Sequence, residues 1–222
     1  MEIKICGITN LEDALFTSSC GADAIGFIFY PKSPRYVTPE SVRNIIDNLP
    51  VDIVKVGVFV NHDAGEISEI VRYCGLDMIQ LHGDESPEYC RQFQENILIK
   101  AISPRSENDL NILRDYPVRA ILIDSRDPGR YGGTGKTSDW NLAMKVKNTH
   151  PLILSGGLNT ENILEAIETV SPHAVDVNSG VEDLPGKKNQ EKVKRIIEMV
   201  HDIVRQLPVS VFPTKVSGSH WI

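Results

Sequence analysis

Two kinds of hydrophobic pattern take turns along the 222-residue chain. Short, nearly continuous apolar runs alternate with stretches whose apolar residues fall three and four apart. The first run is Glu2-Ile3-Lys4-Ile5, which stops at Cys6-Gly7. Leu11, Ala14, Leu15 and Ser18 then share one face of a helix over about 11–20, capped by Thr9 or Asn10 and closed by Gly21. Asp23–Phe29 reads as a buried strand. Thr38-Pro39-Glu40 opens a helix carrying Val42, Ile45, Ile46 and Leu49. Ile53–Val60 is paired with a helix of Ile67, Ile70, Val71 and Cys74, and Asp77–Leu81 with a Ser86-Pro87-Glu88 cap ahead of Tyr89, Cys90 and Phe93. Ile97–Ile102 precedes a short helix near 107–114, and Val118–Asp124 precedes a Ser138-Asp139 cap ahead of Trp140, Ala143 and Met144. Pro151–Ser155 is followed by Ile163, Leu164, Ile167 and Val170. Ala174–Val177 is followed by a last helix with Val193, Ile196, Ile197, Val200, Ile203, Val204 and Leu207.

These are eight strand–helix units in about 207 residues. Strands apolar on both faces belong to a buried parallel sheet, and strict alternation belongs to an α/β fold. Eight units predict a closed (β/α)8 TIM barrel rather than an open sheet. No break in composition marks a second domain, so residues 1–207 form one barrel domain. Residues 208–222, with Pro208, Phe212, Pro213 and Trp221, have no helical period. This extension is left open as a packed arm, a subunit contact or a disordered tail.

Composition narrows the partners. A net charge of −7 argues against a nucleic-acid groove but permits a local basic pocket for a small anion. No apolar run reaches membrane-spanning length, and no secretory signal pattern precedes Ile3. Cys6, Cys20, Cys74 and Cys90 show no metal-ligand spacing. The expectation is a cytoplasmic, reduced protein without a metal.

Active sites of such barrels lie at the C-terminal ends of the strands. Gly156 and Gly157 follow strand seven, and Ser179 and Gly180 follow strand eight. Glycines let backbone N–H groups approach an anion, and these two loops are where phosphate binds in many barrels. The predicted ligand is therefore a small phosphorylated molecule. Asp124 ends strand six and suits a general acid or an ion pair. Asp176 lies on strand eight, where it can orient a ligand hydroxyl. Gln80 and His82 share a face at the end of strand four. Arg35, between Pro34 and Tyr36, presents a planar fork suited to a carboxylate. Cys6 is the one cysteine at a strand end. The other three fall on helices, where inert core thiols are the default. Ser125–Thr137 reads as a lid with Arg126, Arg130 and Lys136 as charge partners. Its end nearly spells a nucleotide-binding P-loop but has Arg130 where that motif needs glycine.

Lys4-Ile5-Cys6-Gly7-Ile8-Thr9, Lys32-Ser33-Pro34-Arg35-Tyr36, Gly57-Val58-Phe59-Val60-Asn61, Gln80-Leu81-His82-Gly83, Gly132-Gly133-Thr134-Gly135, Leu154-Ser155-Gly156-Gly157-Leu158 and Asp176-Val177-Asn178-Ser179-Gly180-Val181-Glu182 occur in order. Together they resemble the phosphoribosylanthranilate isomerase family over about residues 2–207. Asn178 departs from the small residue expected there. The resemblance implies an Amadori rearrangement in tryptophan biosynthesis. N-(5-phosphoribosyl)anthranilate would become 1-(2-carboxyphenylamino)-1-deoxyribulose 5-phosphate. It implies Cys6 as general base and Asp124 as general acid. Arg35 would hold the anthranilate carboxylate; Gly156, Gly157, Ser179 and Gly180 would hold the phosphate. It implies no cofactor, and a monomer or a homodimer.

Three alternatives stay open at this stage. One is the related barrel isomerase of histidine biosynthesis or a dual-substrate enzyme, which use paired aspartates. Another is a Schiff-base aldolase using Lys4, Lys55 or Lys100. The third is a non-catalytic module that binds a phosphoribosyl ligand.

Overall fold

The computed structural model describes residues 1–124, 139–203 and 210–212. Eight parallel strands close into a barrel in sequential order. They are β1 (Glu2–Ile5), β2 (Ala24–Ile28), β3 (Val54–Phe59), β4 (Met78–Leu81), β5 (Leu98–Ile102), β6 (Ala120–Ile123), β7 (Leu152–Leu154) and β8 (Ala174–Val177). β1 pairs with both β2 and β8, which completes the ring. The predicted (β/α)8 TIM barrel is the observed fold.

Helices α1 (Leu11–Ser19), α2 (Pro39–Ile46), α3 (Ala64–Cys74), α4 (Pro87–Cys90), α5 (Trp140–Val146), α6 (Ile163–Val170) and α7 (Gln190–His201) surround it. Their starts follow ordinary capping chemistry. Asn10 accepts from Asp13 N–H, Thr38 from Ser41 N–H and Ser86 from Tyr89 N–H, with Pro39 and Pro87 just inside.

Some elements differ from the sequence pattern. α4 stops at Cys90, because Gln92 and Phe93 N–H bond to carbonyls three residues back and the turn tightens. Glu107–Asp115 is a 3₁₀ helix rather than an α-helix. α7 ends at His201; Val204 and Leu207 lie outside the described residues. A short 3₁₀ turn (Ser179–Val181) and an antiparallel hairpin, β9 (Glu182–Leu184) with β10 (Lys187–Lys188), intervene between β8 and α7.

The core has two layers. Ile3, Ile5, Ile25, Phe27, Ile121 and Val175 face the helices in one cluster, and Ala24, Val54, Met78, Ile99, Ala120 and Ile153 fill the barrel interior in another. Alternation along each strand puts Lys4, Cys6, Gln80, His82, Asp124, Ser155 and Asp176 on the inward register, further along the strands than the apolar interior. The interior therefore changes from apolar at the N-terminal end to polar at the C-terminal end. No helix among the described residues is long and apolar enough to cross a membrane.

Candidate active site

Cys6 immediately follows β1 and is 4% exposed. Lys4, two residues earlier on the same face, is fully buried, and its Nζ lies 2.8 Å from Asp176 Oδ1 on neighbouring β8. The strand register pairs Lys4 directly with Asp176. Room for this cluster comes from Gly26 on β2. A Cβ there would sit 2.7 Å from Cys6 Sγ and 3.1 Å from Lys4 Cε. Burial pushes the Cys6 thiol above its usual range. The ammonium groups of Lys4 and Lys188 oppose that rise, and Asp176 adds to it. Burial alone would lower Lys4, but the negative charge of Asp176, and that of Cys6 whenever it is a thiolate, outweigh it and hold Lys4 above its ordinary value.

Across the barrel, three side chains form a line. Gln80 Nε2 donates to His82 Nδ1 at 2.9 Å, and His82 Nε2 faces Asp124 Oδ2 at 3.2 Å. In this amide orientation the neutral imidazole carries its proton on Nε2, towards Asp124. Among the described residues, buried Gln80 Oε1 has no hydrogen-bond partner. Turning the amide over would let Gln80 Oε1 accept from His82 Nδ1–H and leave His82 Nε2 as an acceptor for a protonated Asp124.

Arg35 sits on the loop after β2, packed over Gly7: a Cβ at Gly7 would lie 2.7 Å from Arg35 Cδ. It is not an open fork. Arg35 Nε donates to Glu182 Oε1 at 2.8 Å and Nη2 to Oε2 at 2.6 Å, in a bidentate, buried pair. Nη1 makes no hydrogen bond among the described residues. Lys188 Nζ binds the same carboxylate at 2.9 Å and also reaches Asn178 Oδ1 at 3.2 Å. Burial would raise Glu182, but Arg35 and Lys188 overcome it and hold the carboxyl below its usual range. Burial pushes Lys188 down, and Glu182 partly restores it. Asn178, the departure noted in the sequence, is thus an acceptor for Lys188.

The loops after β7 and β8 meet directly. A Cβ at Gly180 would fall 1.9 Å from the Leu158 carbonyl oxygen, so no other residue fits without moving the backbone. Gly156 and Gly157 have φ of +90° and +66°. Neither of their N–H groups donates to a protein acceptor among the described residues. Unpaired N–H groups of this kind are donors available to a small anion.

The structure therefore places all ten sequence candidates on the C-terminal side of the barrel or its loops. It joins Gln80, His82 and Asp124 in one chain and sets Asp176 against Lys4. The proposed charge partners Arg126, Arg130 and Lys136 lie outside the described residues. Of the lysines weighed for Schiff-base chemistry, Lys4 is paired with Asp176, and Lys55 and Lys100 are engaged elsewhere. Lys100 Nζ binds Glu85 at 2.7 Å and the Gly83 carbonyl at 2.8 Å, while Lys55 Nζ binds the Val51 carbonyl at 3.2 Å. Sequence reasoning missed Glu182 as Arg35's partner, Lys188 as the second cation on that carboxylate, and Lys4 as Cys6's neighbour. A signal for the first pair was Pro185-Gly186, a turn dipeptide between two short polar runs that announces the β9–β10 hairpin.

A closed (β/α)8 barrel with a buried thiol, carboxylates and an imidazole converging at the strand C-termini defines a barrel enzyme. The family model for N-(5'-phosphoribosyl)anthranilate (PRA) isomerase matches residues 3–199. A Syntrophus aciditrophicus N-(5'-phosphoribosyl)anthranilate isomerase is 53% identical over 199 residues, covering 90% of this chain and 86% of that protein. The dimeric phosphoribosylanthranilate isomerase of Thermotoga maritima, solved as generated monomers, superposes with a TM-score of 0.81 at 44% identity, over 91% of this chain and 100% of that one. A phosphoribosylanthranilate isomerase in complex with reduced 1-(o-carboxyphenylamino)-1-deoxyribulose 5-phosphate gives 0.80 at 44% identity, with the same coverage. The chain belongs to the N-(5'-phosphoribosyl)anthranilate isomerase family, and it is an isomerase of tryptophan biosynthesis.

Proposed function

We propose that the chain catalyses the Amadori rearrangement of N-(5-phosphoribosyl)anthranilate, with Asp124 as general acid and Cys6 as general base. Asp124 protonates the furanose ring oxygen as its bond to C1 breaks, and the anilino nitrogen supplies the electrons that form an iminium ion. Cys6 then removes the proton from C2, and that bonding pair flows toward nitrogen to give an enolamine. Ketonisation removes one proton from O2 and adds one to C1, so substrate and product are isomers. The iminium nitrogen is the electron sink, and the scheme uses no cofactor or metal.

The observation that carries this reading is that the one inward-facing thiol and the Asp124 carboxylate each have a dedicated partner. Lys4 stands below Cys6 with its charge held on by Asp176, and His82 faces Asp124 at 3.2 Å. In the resting site burial keeps Cys6 a thiol. Lys4, together with the positive charge of the iminium, favours the thiolate at the step that needs it. The two orientations of the Gln80 amide match the charged and protonated forms of Asp124.

Gly156, Gly157, Ser179 and Gly180 hold the phosphate in this reading. The complex of a family member with a phosphorylated product analogue supports it. Glu182 anchors Arg35 by two of its nitrogens, leaving Nη1 to meet the anthranilate carboxylate. Asp176, Gln80 and His82 line the sugar. The dimer described for the Thermotoga maritima relative supports a homodimer, and the pathway supports a cytoplasmic location.

The test is the loss of fluorescence as freshly made phosphoribosylanthranilate is consumed by the purified chain. First-order decay that scales with enzyme concentration is expected. No decay above the uncatalysed rate rejects the assignment.

A further inference from the structure

Residues 210–212 lie beyond residue 199, where the family match ends, yet Val211 and Phe212 are 0% and 2% exposed. Both belong to the interior cluster that includes Ala24, Val54, Met78 and Ala120, at the end of the barrel away from Cys6 and Asp124. Two ionic side chains hold this tripeptide by its backbone. Glu2, the first residue of β1, accepts from Val211 N–H at 2.7 Å and from Phe212 N–H at 3.3 Å, and Ser210 Oγ also donates to it. Arg119, just before β6, donates from Nε to the Val211 carbonyl at 2.7 Å and from Nη2 to the Ser210 carbonyl at 2.7 Å. β1 and β6 are not neighbours in the barrel, so the tripeptide bridges the N-terminal mouth.

This is the logic of a peptide-binding site. One carboxylate reads N–H groups, one guanidinium reads carbonyls, and apolar side chains fill the cavity between them. We infer that the N-terminal mouth of the barrel is a socket whose ligand is the chain's own segment Ser210-Val211-Phe212, seated in the same copy as a plug. Within the 208–222 extension, the described tripeptide is thus a closing element of the barrel. The socket exposes an apolar barrel interior when empty, so its occupation is coupled to the stability of the whole domain. The proposal is independent of the catalytic reading, since it concerns the opposite end of the barrel.

The experiment compares the full-length chain with Phe212→Ala and Arg119→Met by thermal unfolding, hydrogen exchange and light scattering. Phe212→Ala is expected to lower Tm by about 6 °C or more. The amides of Val211 and Phe212 are expected to exchange about 100-fold more slowly than in a free peptide of the same sequence. Arg119→Met is expected to erase that protection while β3 and β8 keep theirs, a selectivity that general destabilisation would not produce. Molar mass is expected to be the same in all three proteins. Unprotected amides at 211 and 212 in the unaltered chain, or an unchanged Tm in Phe212→Ala, would overturn the plug. A dimer that Phe212→Ala converts to monomer would overturn seating in the same copy.

Discussion

Lys4 Nζ lies 2.8 Å from Asp176 Oδ1 inside the barrel, and both side chains are almost wholly buried. The pair stands one inward position below Cys6 on β1. An ammonium without a counter-ion would lose its proton at this depth. Asp176 keeps Lys4 charged, and a charged Lys4 acts on the thiol more strongly than Lys188 does.

This relationship predicts the pH dependence of the reaction. Cys6 lies above its usual range, so the thiolate fraction and kcat/KM both rise with pH through neutrality. Replacing the cation in Lys4→Met removes a term that holds the thiol down, and the rising limb moves to higher pH by about one unit or more. At pH 7 the loss is then about tenfold or greater in kcat/KM. A pH–rate profile measured on both proteins checks this. An unmoved limb in Lys4→Met means the ammonium does not act on Cys6.

Cys6→Ala and Asp124→Asn are each expected to reduce turnover by a factor on the order of 10³ or more, with native circular dichroism. Each removes one proton-transfer group without creating a large cavity. Near-normal turnover by Cys6→Ala removes the thiol from the base role.

Gly26→Ala tests the packing that sets the thiol. The added methyl carbon would meet Cys6 Sγ at 2.7 Å, with the Cys6 backbone at 3.3 Å behind it. The expected cost is about 1–3 kcal/mol of stability from overpacking. Turnover falls at saturating substrate, because the thiol is displaced and the phosphate loops are untouched. Denaturant unfolding and steady-state kinetics measure the two effects separately.

Glu182→Gln tests how Arg35 is anchored. The folded-state carboxyl lies below its unfolded value, so the pair contributes stability above about pH 4.5 and loses it as pH falls through the folded pKa. The neutral amide has no such dependence. The unaltered chain is therefore more stable than Glu182→Gln at pH 7, and the gap narrows below about pH 4.5 in unfolding curves taken at several pH values. KM for the substrate is expected to rise as Arg35 loses its fixed orientation. A constant gap across pH would mean Arg35 and Lys188 do not hold Glu182 ionised.

The elements of the barrel were legible because each strand and helix is a local pattern. The β-branched runs and the caps at Asn10, Thr38 and Ser86 need only neighbouring residues to be read. α4 and the 3₁₀ turn at 107–115 were less legible, because their last turns depend on which carbonyl each N–H meets. The candidate chemistry at Cys6, Asp124, Gln80 and His82 was also visible, since position at a strand end assigns a residue to the barrel's polar face.

What the chain alone determined is the fold class, the strand order and the set of chemistry-bearing residues at the strand ends, because period and capping are local properties. Tertiary structure decided the partnerships. Lys4 meets Asp176 because β1 closes against β8, 172 residues later in the chain. Arg35 meets Glu182 across 147 residues because the hairpin folds back against Thr9 and Pro34. Phe212 reaches the barrel mouth because Glu2 and Arg119, 117 residues apart in the chain, arrive on either side of the Ser210–Phe212 segment. Contacts of this kind depend on closure of the ring, and no periodicity in a linear sequence encodes which distant charge will stand beside a buried one.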